Sequence, residues 1–351
     1  MTLAALLHHL AFAAGIALVS AVVVRAMINA RVMDLPNDRS SHAVPTPRGG
    51  GVGIVVGFLL GISVLYGFAS FARLADPYFR GVILASIAIA AVGFIDDVRD
   101  WPFIVKLAAQ VAAALAAVGS GLYVEVFRLP GIGAVDIGWL AGAAVTVAWI
   151  LFATNAMNFI DGLNGLAAGT ALVACGFLAG IAESQGGWFV YFAALLLGAG
   201  IAGFLPFNFP RARIFMGDVG SQFCGFVLAV LGVAAGRFDR VEMSFMLVPM
   251  LLSGVLYDVA FTLLRRAIAG ERLTQAHRGH LYQVAQRSGM DARAVALAHW
   301  GFAALGGVAC LGFIAAPSPL KPLLPAALLL PQLAWTGWVA VRARRAGLGR
   351  W

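Results

Sequence analysis

The chain is poor in charge. Asp, Glu, Lys and Arg make up only 11% of its 351 residues while 61% are hydrophobic, so there is too little polar surface to coat a water-soluble globule. Cysteine is as scarce: Cys175, Cys224 and Cys310 stand alone inside apolar stretches, which argues against a disulfide framework and against a thiolate metal centre. Long linkers, low-complexity tracts and persuasive internal repeats are missing too, so 1–351 reads as a single integral domain. No small-residue cleavage pattern follows the first apolar stretch, and it is read as a retained span rather than a signal peptide. The apolar runs do not alternate with polar residues, which removes the signature of a transmembrane barrel.

What the chain has instead is apolar length. A bilayer core takes roughly 20 apolar residues per helix, and about eleven stretches qualify. They fall at 3–24, 51–71, 79–95, 103–121, 138–154, 164–182, 187–205, 219–236, 243–264, 294–316 and 322–341. The expected fold is all-α, a polytopic membrane bundle of ten or eleven spans.

About three quarters of the 24 Lys and Arg then lie on one side, while Arg73, Arg80, Arg128, Arg237, Arg240 and Lys321 lie on the other. The positive-inside bias puts the rich side in the cytosol, the N-terminus outside and the C-terminus inside. The net charge of +8 follows from this bias and suits anionic headgroups; it does not argue for nucleic acid.

Four polar strings interrupt the apolar background, all in connections on the basic side. Carboxylates beside lipid are costly, so acids recurring at the ends of apolar stretches point to a metal or phosphate site. Asp96-Asp97 closes the third stretch. Adjacent carboxylates repel unless a cation sits between them or one keeps a proton. Mg²⁺ suits them, because it takes oxygen ligands and shares them with substrate phosphates. Lys106, at the start of the next stretch, can hold a phosphate. A plainer reading makes Asp97, Arg99, Asp100 and Lys106 a set of solvated ion pairs.

The second string, NAMNFIDGLNGL, sets Asn155, Asn158, Asp161 and Asn164 at three-residue steps, so that on a helical or turn-like backbone they face one way. Amides offer donor and acceptor together, which suits a base or a sugar, and Asp161 can accept from a hydroxyl or imide. Capping of two helix ends accounts for one or two of the four residues. In FMGDVGS, Asp218 alone reads as a helix N-cap; with Asp96, Asp97 and Asn158 on the same side it becomes a candidate Mg²⁺ ligand. Phe215 offers an aromatic surface for a base.

The longest polar connection, 267–293, carries His277, Arg278 and His280. Without a third soft ligand nearby, contact with a phosphate or sugar fits this string better than Zn²⁺. A basic amphipathic segment lying on the bilayer is the alternative. The stretch SSHAVPTPRGGGVGI brings His42 and Arg48 ahead of three glycines, whose simplest use is close helix packing. His8, His9 and His299 lie within apolar stretches and are read as packing or interfacial residues.

The order PTPRGGG, DD with a following Lys, NxxNxxDGxNGL, FMGDVGS and a His-containing loop resembles the polyprenyl-phosphate N-acetylhexosamine-1-phosphate transferases, the MraY/WecA family, from about His42 to Gln283. The resemblance implies that the phosphate of undecaprenyl phosphate attacks the β-phosphate of a UDP-N-acetylhexosamine, releasing UMP at the cytosolic face of a bacterial inner membrane. It implies Mg²⁺, with Mn²⁺ as a substitute, held by Asn158 and Asp218. Lys106 would contact the diphosphate, and Asp96 and Asp97 would orient or deprotonate the lipid phosphate. Asn164, Asn208 and Phe215 would form the uridine pocket with Asp161 beside it, and Asn155, Arg48 and His42 join the substrate-binding set. His277, Arg278 and His280 would handle phosphates and sugar.

His-Arg-Gly-His departs from the consecutive histidines of the muramoyl-pentapeptide branch. The departure points to the branch that begins O-antigen, capsule or exopolysaccharide synthesis, with N-acetylglucosamine as the default sugar. A homodimer is left open. Two rivals remain: an intramembrane aromatic prenyltransferase using the DDxxD string Asp96 to Asp100, and a secondary transporter with acids on an ion path.

Overall fold

The computed structural model describes residues 1–35, 44–68, 76–129, 133–237, 243–273, 275 and 277–349. His42, placed above among the substrate-binding residues, lies outside them, as do Arg73 and Arg240 of the charge count. The chain is a polytopic membrane protein. Its helices are Leu3–Ala30 (α1), Gly51–Phe68 (α2), Asp76–Arg99 (α3), Phe103–Gly119 (α4), Gly138–Phe159 (α5), Leu166–Ser184 (α6), Trp188–Asn208 (α7), Gly217–Arg237 (α8), Leu247–Leu251 (α9), Ser253–Ile268 (α10), Leu281–Arg287 (α11), Ala292–Ala315 (α12), Leu323–Ala327 (α13) and Leu329–Arg345 (α14).

Among the described residues nine helical segments are long and apolar enough to cross a bilayer, and α4 is a shorter apolar helix. The stretch 243–264, expected as one span, is divided. Its helix breaks at Leu252, where φ is −95° and ψ 12°, into α9 and α10. Ser253-Gly254 follows at once, a pair of the kind that kinks helices. The all-α class holds, with two short antiparallel ladders added in the connections. Met33–Asp34 (β1) pairs with Thr46–Pro47 (β2), and Val126–Leu129 (β3) with Gly133–Asp136 (β4). They occupy the α1–α2 and α4–α5 connections.

The packing centre is α8. Every residue from Val219 to Ala235 is buried, as expected for a helix that is apolar on all sides and surrounded by others. It packs against α3, α5, α2 and α7. Glycines set two of these approaches. A Cβ on Gly51 would strike Gly220 of α8, and one on Gly93 of α3 would meet the Asp218 backbone at 2.8 Å. Close approach of backbones is how small residues join helices in lipid. Its consequence is positional, because the N-terminus of α8 is brought against the C-terminus of α3 and the N-terminus of α2.

Candidate active site

The first residue pinned by this packing is Asp97. Its carboxylate, 3% exposed at residue level, accepts hydrogen bonds from the backbone N–H of Asp218 at 2.9 Å and of Val219 at 3.2 Å. It therefore caps α8 from a different helix, satisfying amides that have no partner within α8. The capping function read into Asp218 belongs to Asp97 instead. Gly217 makes the contact feasible: its φ is +77°, and a Cβ there would enter the Asp97 carboxylate.

With capping done by Asp97, the Asp218 side chain is available for other contacts. Its Oδ1 accepts from Asn158 Nδ2 at 2.9 Å, and its Oδ2 from Gln222 Nε2 at 2.7 Å and Lys106 Nζ at 3.2 Å. Lys106 also reaches Asp96 at 2.8 Å, and Asp96 accepts from the Trp101 amide at 2.7 Å across the α3–α4 turn. Asn158 Nδ2 donates as well to Ser221 Oγ at 2.9 Å, which leaves the Asn158 oxygen as its remaining polar atom.

A second clamp holds the PTPRGGG segment to FMGDVGS. Phe215 N donates to the Pro47 carbonyl at 2.8 Å, Gly50 N to Phe215 O at 2.9 Å and Gly51 N to Met216 O at 2.8 Å. Arg48 is thereby held at the site, 3.2 Å from Asp100 and 3.9 Å from Asp34.

These elements enclose a cavity of about 390 Å³. Arg48, Asp97, Asn158, Asp161, Asn164, Asn208, Phe215 and Asp218 of the expected set line it. Asp161 makes no hydrogen bond through its carboxylate with any described residue. Burial, then the nearby Asp218 and Asp97 carboxylates, push its carboxyl well above the usual range. Four acids, Asp34, Asp97, Asp161 and Asp218, line the cavity against one lining cation, Arg48, with Lys106 bound to Asp218, so the site is short of positive charge.

Residues 79–236 match the family described as Glycosyl transferase family 4. A probable undecaprenyl-phosphate N-acetylglucosaminyl 1-phosphate transferase of Bacillus subtilis (strain 168) is 30% identical over 280 residues, spanning 79% of this chain and 75% of that protein. A decaprenyl-phosphate N-acetylglucosaminephosphotransferase of Mycobacterium tuberculosis (strain ATCC 25618 / H37Rv) is 32% identical over 286 residues, 75% of this chain and 70% of that one. The chain belongs to glycosyl transferase family 4. It is an enzyme of the phosphoglycosyl transferase kind. An undecaprenyl-phosphate alpha-N-acetylglucosaminyl 1-phosphate transferase of Thermotoga maritima is 28% identical over 262 residues, 73% of each chain.

Several residues expected in the site of this family 4 enzyme are not among those that line the cavity. Asp96 and Lys106 stand behind Asp218 in the ion-pair network. Asn155 points away, donating to Gln110 Oε1 at 2.6 Å and to the Leu151 carbonyl at 2.8 Å. Asn208 lines the cavity, but its oxygen accepts from Gly165 N at 2.6 Å and its nitrogen donates to Ile214 O at 2.9 Å. Its amide is spent on shaping the Gly165 turn. Asn164 Nδ2 reaches the Pro210 carbonyl at 3.4 Å.

The late loop is also arranged differently from the expectation. His280 is buried, with Nδ1 3.0 Å from Asp258 of α10, and Asp258 accepts from the Leu281 and Tyr282 amides at 3.0 Å each. His277 accepts from Gly279 N at 3.2 Å, and the Arg278 carbonyl accepts from Arg287. Burial, then His280 and the Arg266 and Arg265 guanidiniums, push the His277 imidazole down to about 4, so it is neutral near pH 7. None of the three lines the cavity. Gln283 and Gln286 of α11 and Ala292 of α12 do, with Asp34 of β1.

Sequence reasoning missed Gln110, Gln222 and Asp258 as well. A signal for each was present. Gln222 follows Asp218 by one helical turn and Gln110 follows Lys106 likewise, the spacing at which side chains on one helix meet. Asp258 is an acid inside an apolar stretch, which by itself marks a residue with a partner to find.

Proposed function

We propose that this enzyme transfers an N-acetylhexosamine 1-phosphate, by default N-acetylglucosamine 1-phosphate, from its UDP-sugar to undecaprenyl phosphate, forming the lipid diphosphate sugar and releasing UMP. The observation that carries the reading is the meeting of Asp97, Asn158, Asp161 and Asp218 on one cavity wall at the ends of spans, with Lys106 and Arg48 as the adjacent cations. A diphosphate needs such positioning and charge neutralisation more than covalent help. The names of the relatives agree with it in donor sugar and in polyprenyl acceptor.

The donor set fits Mg²⁺ shared with a diphosphate. Among the described residues no three carboxylates, imidazoles or thiols converge closely enough to hold a metal alone. Mg²⁺ ordinarily takes one or two carboxylates and completes its shell with phosphate and water. Asp218 and the Asn158 oxygen would hold it, with the Asp161 carboxyl as a further oxygen donor lining the same cavity. Bound there, the metal would neutralise charge on the diphosphate; Mn²⁺ would substitute. Lys106 holds the ion-pair network between Asp96 and Asp218 and lies within reach of a phosphate displacing either. A lipid phosphate oxygen forms a bond to the β-phosphorus as the bond from that phosphorus to the bridging oxygen breaks, and UMP carries the electron pair away. Phe215 and Asn164 form the surface for the uracil ring.

The location of the site suits a cytosolic nucleotide meeting a prenyl chain in the inner leaflet of a bacterial inner membrane. The product begins an O-antigen, capsule or exopolysaccharide. The DDxxD alternative is disfavoured by divergence of its acids: Asp96 faces Trp101 and Lys106, Asp97 faces the α8 amides, and Asp100 pairs with Arg48.

The test is transfer of label from UDP-N-acetylglucosamine to undecaprenyl phosphate by the purified chain with Mg²⁺. Lipid-linked label with stoichiometric UMP is the expected result. Failure to release UMP from any UDP-N-acetylhexosamine would overturn the reading.

A further inference from the structure

Beneath the acids, inside the spans, lies a line of three side-chain amides. Asn155 Nδ2 donates to Gln110 Oε1 at 2.6 Å, Gln110 Nε2 to Gln222 Oε1 at 3.0 Å, and Gln222 Nε2 to Asp218 Oδ2 at 2.7 Å. Gln110 and Gln222 are 3% and 1% exposed, so neither amide has water as a ready substitute partner. The line joins α5, α4 and α8, three helices that are separate in the sequence.

Its direction is dictated from both ends. Asn155 also donates to the Leu151 carbonyl at 2.8 Å, and a carbonyl can only accept. The amide nitrogen of Asn155 must therefore face Leu151 and Gln110, which turns the Gln110 oxygen toward Asn155 and its nitrogen toward Gln222. The same step repeats at Gln222 and aims its nitrogen at Asp218. At the other end an ionised Asp218 can likewise only accept. Both ends demand one orientation of every amide, and bonds aligned head to tail strengthen each other.

We infer that Gln110 and Gln222 are positioning residues that orient the Asp218 carboxylate as a metal ligand, with Gln110 acting through Gln222. The inference rests on the metal assignment made under the proposed function. Gln222 holds Oδ2 from within the membrane while Asn158 holds Oδ1 from the cavity side, so rotation of the carboxylate about its last bond breaks one contact or the other. Gln110 denies Gln222 the flipped state: without it the Gln222 amide can turn its oxygen toward Asp218 and repel it. Hydrogen-bond partners of metal-ligating carboxylates of this kind typically change metal affinity 10–100-fold when removed.

The alternative for two facing glutamines in a membrane is plain helix–helix adhesion. The two roles separate in a double-mutant cycle. Gln110→Met and Gln222→Met conserve length and suit an apolar span, so both variants keep the packing. Mn²⁺ binding is measured by EPR with UDP present and no lipid acceptor, and turnover is measured separately.

Gln222→Met is expected to weaken Mn²⁺ binding about tenfold and to lower kcat by a similar factor while KM for the UDP-sugar stays within about twofold. Gln110→Met gives a smaller loss of the same kind. The double variant matches Gln222→Met alone, because Gln110 has no route to Asp218 once Gln222 is gone. Independent, multiplying losses in the double variant would overturn the inference, as would unchanged Mn²⁺ affinity with only the melting temperature lowered. Absence of Mn²⁺ binding by the unsubstituted chain would overturn it too. An unsubstituted chain that binds Mn²⁺ but transfers no sugar phosphate would instead sink the proposed function and leave the cycle to judge the relay on Mn²⁺ binding.

Discussion

The Asp97 carboxylate caps the helix that begins beside Asp218, accepting the Asp218 amide at 2.9 Å from 121 residues earlier in the chain. One acid thus holds the backbone from which the other projects. Removing the Asp97 side chain disturbs both the chemistry and the placement of Asp218. Asp97→Ala and Asp218→Ala are each expected to lower turnover by at least about a hundredfold, the scale for groups that position a reacting phosphate. Asp97→Asn keeps an acceptor for one of the two amides and turns an NH2 toward the other, so its melting temperature should fall, but by less than that of Asp97→Ala, while turnover still falls. Full activity in both alanine variants would remove these residues from the site.

Gly217 offers an independent probe of the same contact. An alanine there meets a positive φ and places its Cβ in the Asp97 carboxylate. Strain of this kind costs on the order of 1–3 kcal/mol. Gly217→Ala should lower both thermal stability and turnover, and normal values for both would show that the α8 entrance tolerates a different path.

Tyr282 connects the late loop to the acid-bearing turn. Its hydroxyl donates to the Phe159 carbonyl at 3.0 Å, and a Cβ on Gly162 would collide with that hydroxyl. Tyr282→Phe should cost about 1 kcal/mol of stability through the lost hydrogen bond. Gly162→Ala should be more damaging in the presence of Tyr282 than in the Tyr282→Phe background. Equal damage in both backgrounds, read from unfolding in detergent, would rule out the contact.

His277 sets an acid sensitivity. Its imidazole is pushed down to about 4 from 6.5, so between those values the unfolded chain binds a proton that the folded chain does not. The stability it contributes is complete above pH 6.5 and is lost as pH falls toward 4. His277→Asn should flatten the loss of melting temperature across this window, and an unchanged slope would show that His277 is charged in the folded protein.

Metal removal tests the Asp218 and Asn158 assignment directly. Chelation by EDTA should abolish transfer, and either Mg²⁺ or Mn²⁺ should restore it. Transfer that persists without divalent metal would leave the cavity's acids to another use.

The sequence made the polar strings visible because each contrasts with apolar neighbours. Asp97, Asn158, Asp161, Asn164, Phe215 and Asp218 all line the cavity. It was less informative about partners. Asn155 and Asn158 belong to one run of amides, yet one ends on Gln110 and the other on Asp218. His280 looked like a residue for anionic substrate and is instead buried against Asp258. The residue that tells these cases apart lies on another helix, and nothing in a local string records it.

By itself the sequence determined the membrane class, the ends of most spans and the family. These follow from hydropathy and charge, which add up along the chain, and from motif order. Tertiary structure alone decided that Asp97 caps α8, that Gln110 and Gln222 stand in line behind Asp218, and that Gln283 and Gln286, not His277 or His280, reach the cavity. Those outcomes depend on which buried donor meets which acceptor. In an apolar interior each polar group is driven to find a partner at almost any sequence distance, and only the packing of the helices says which one is near.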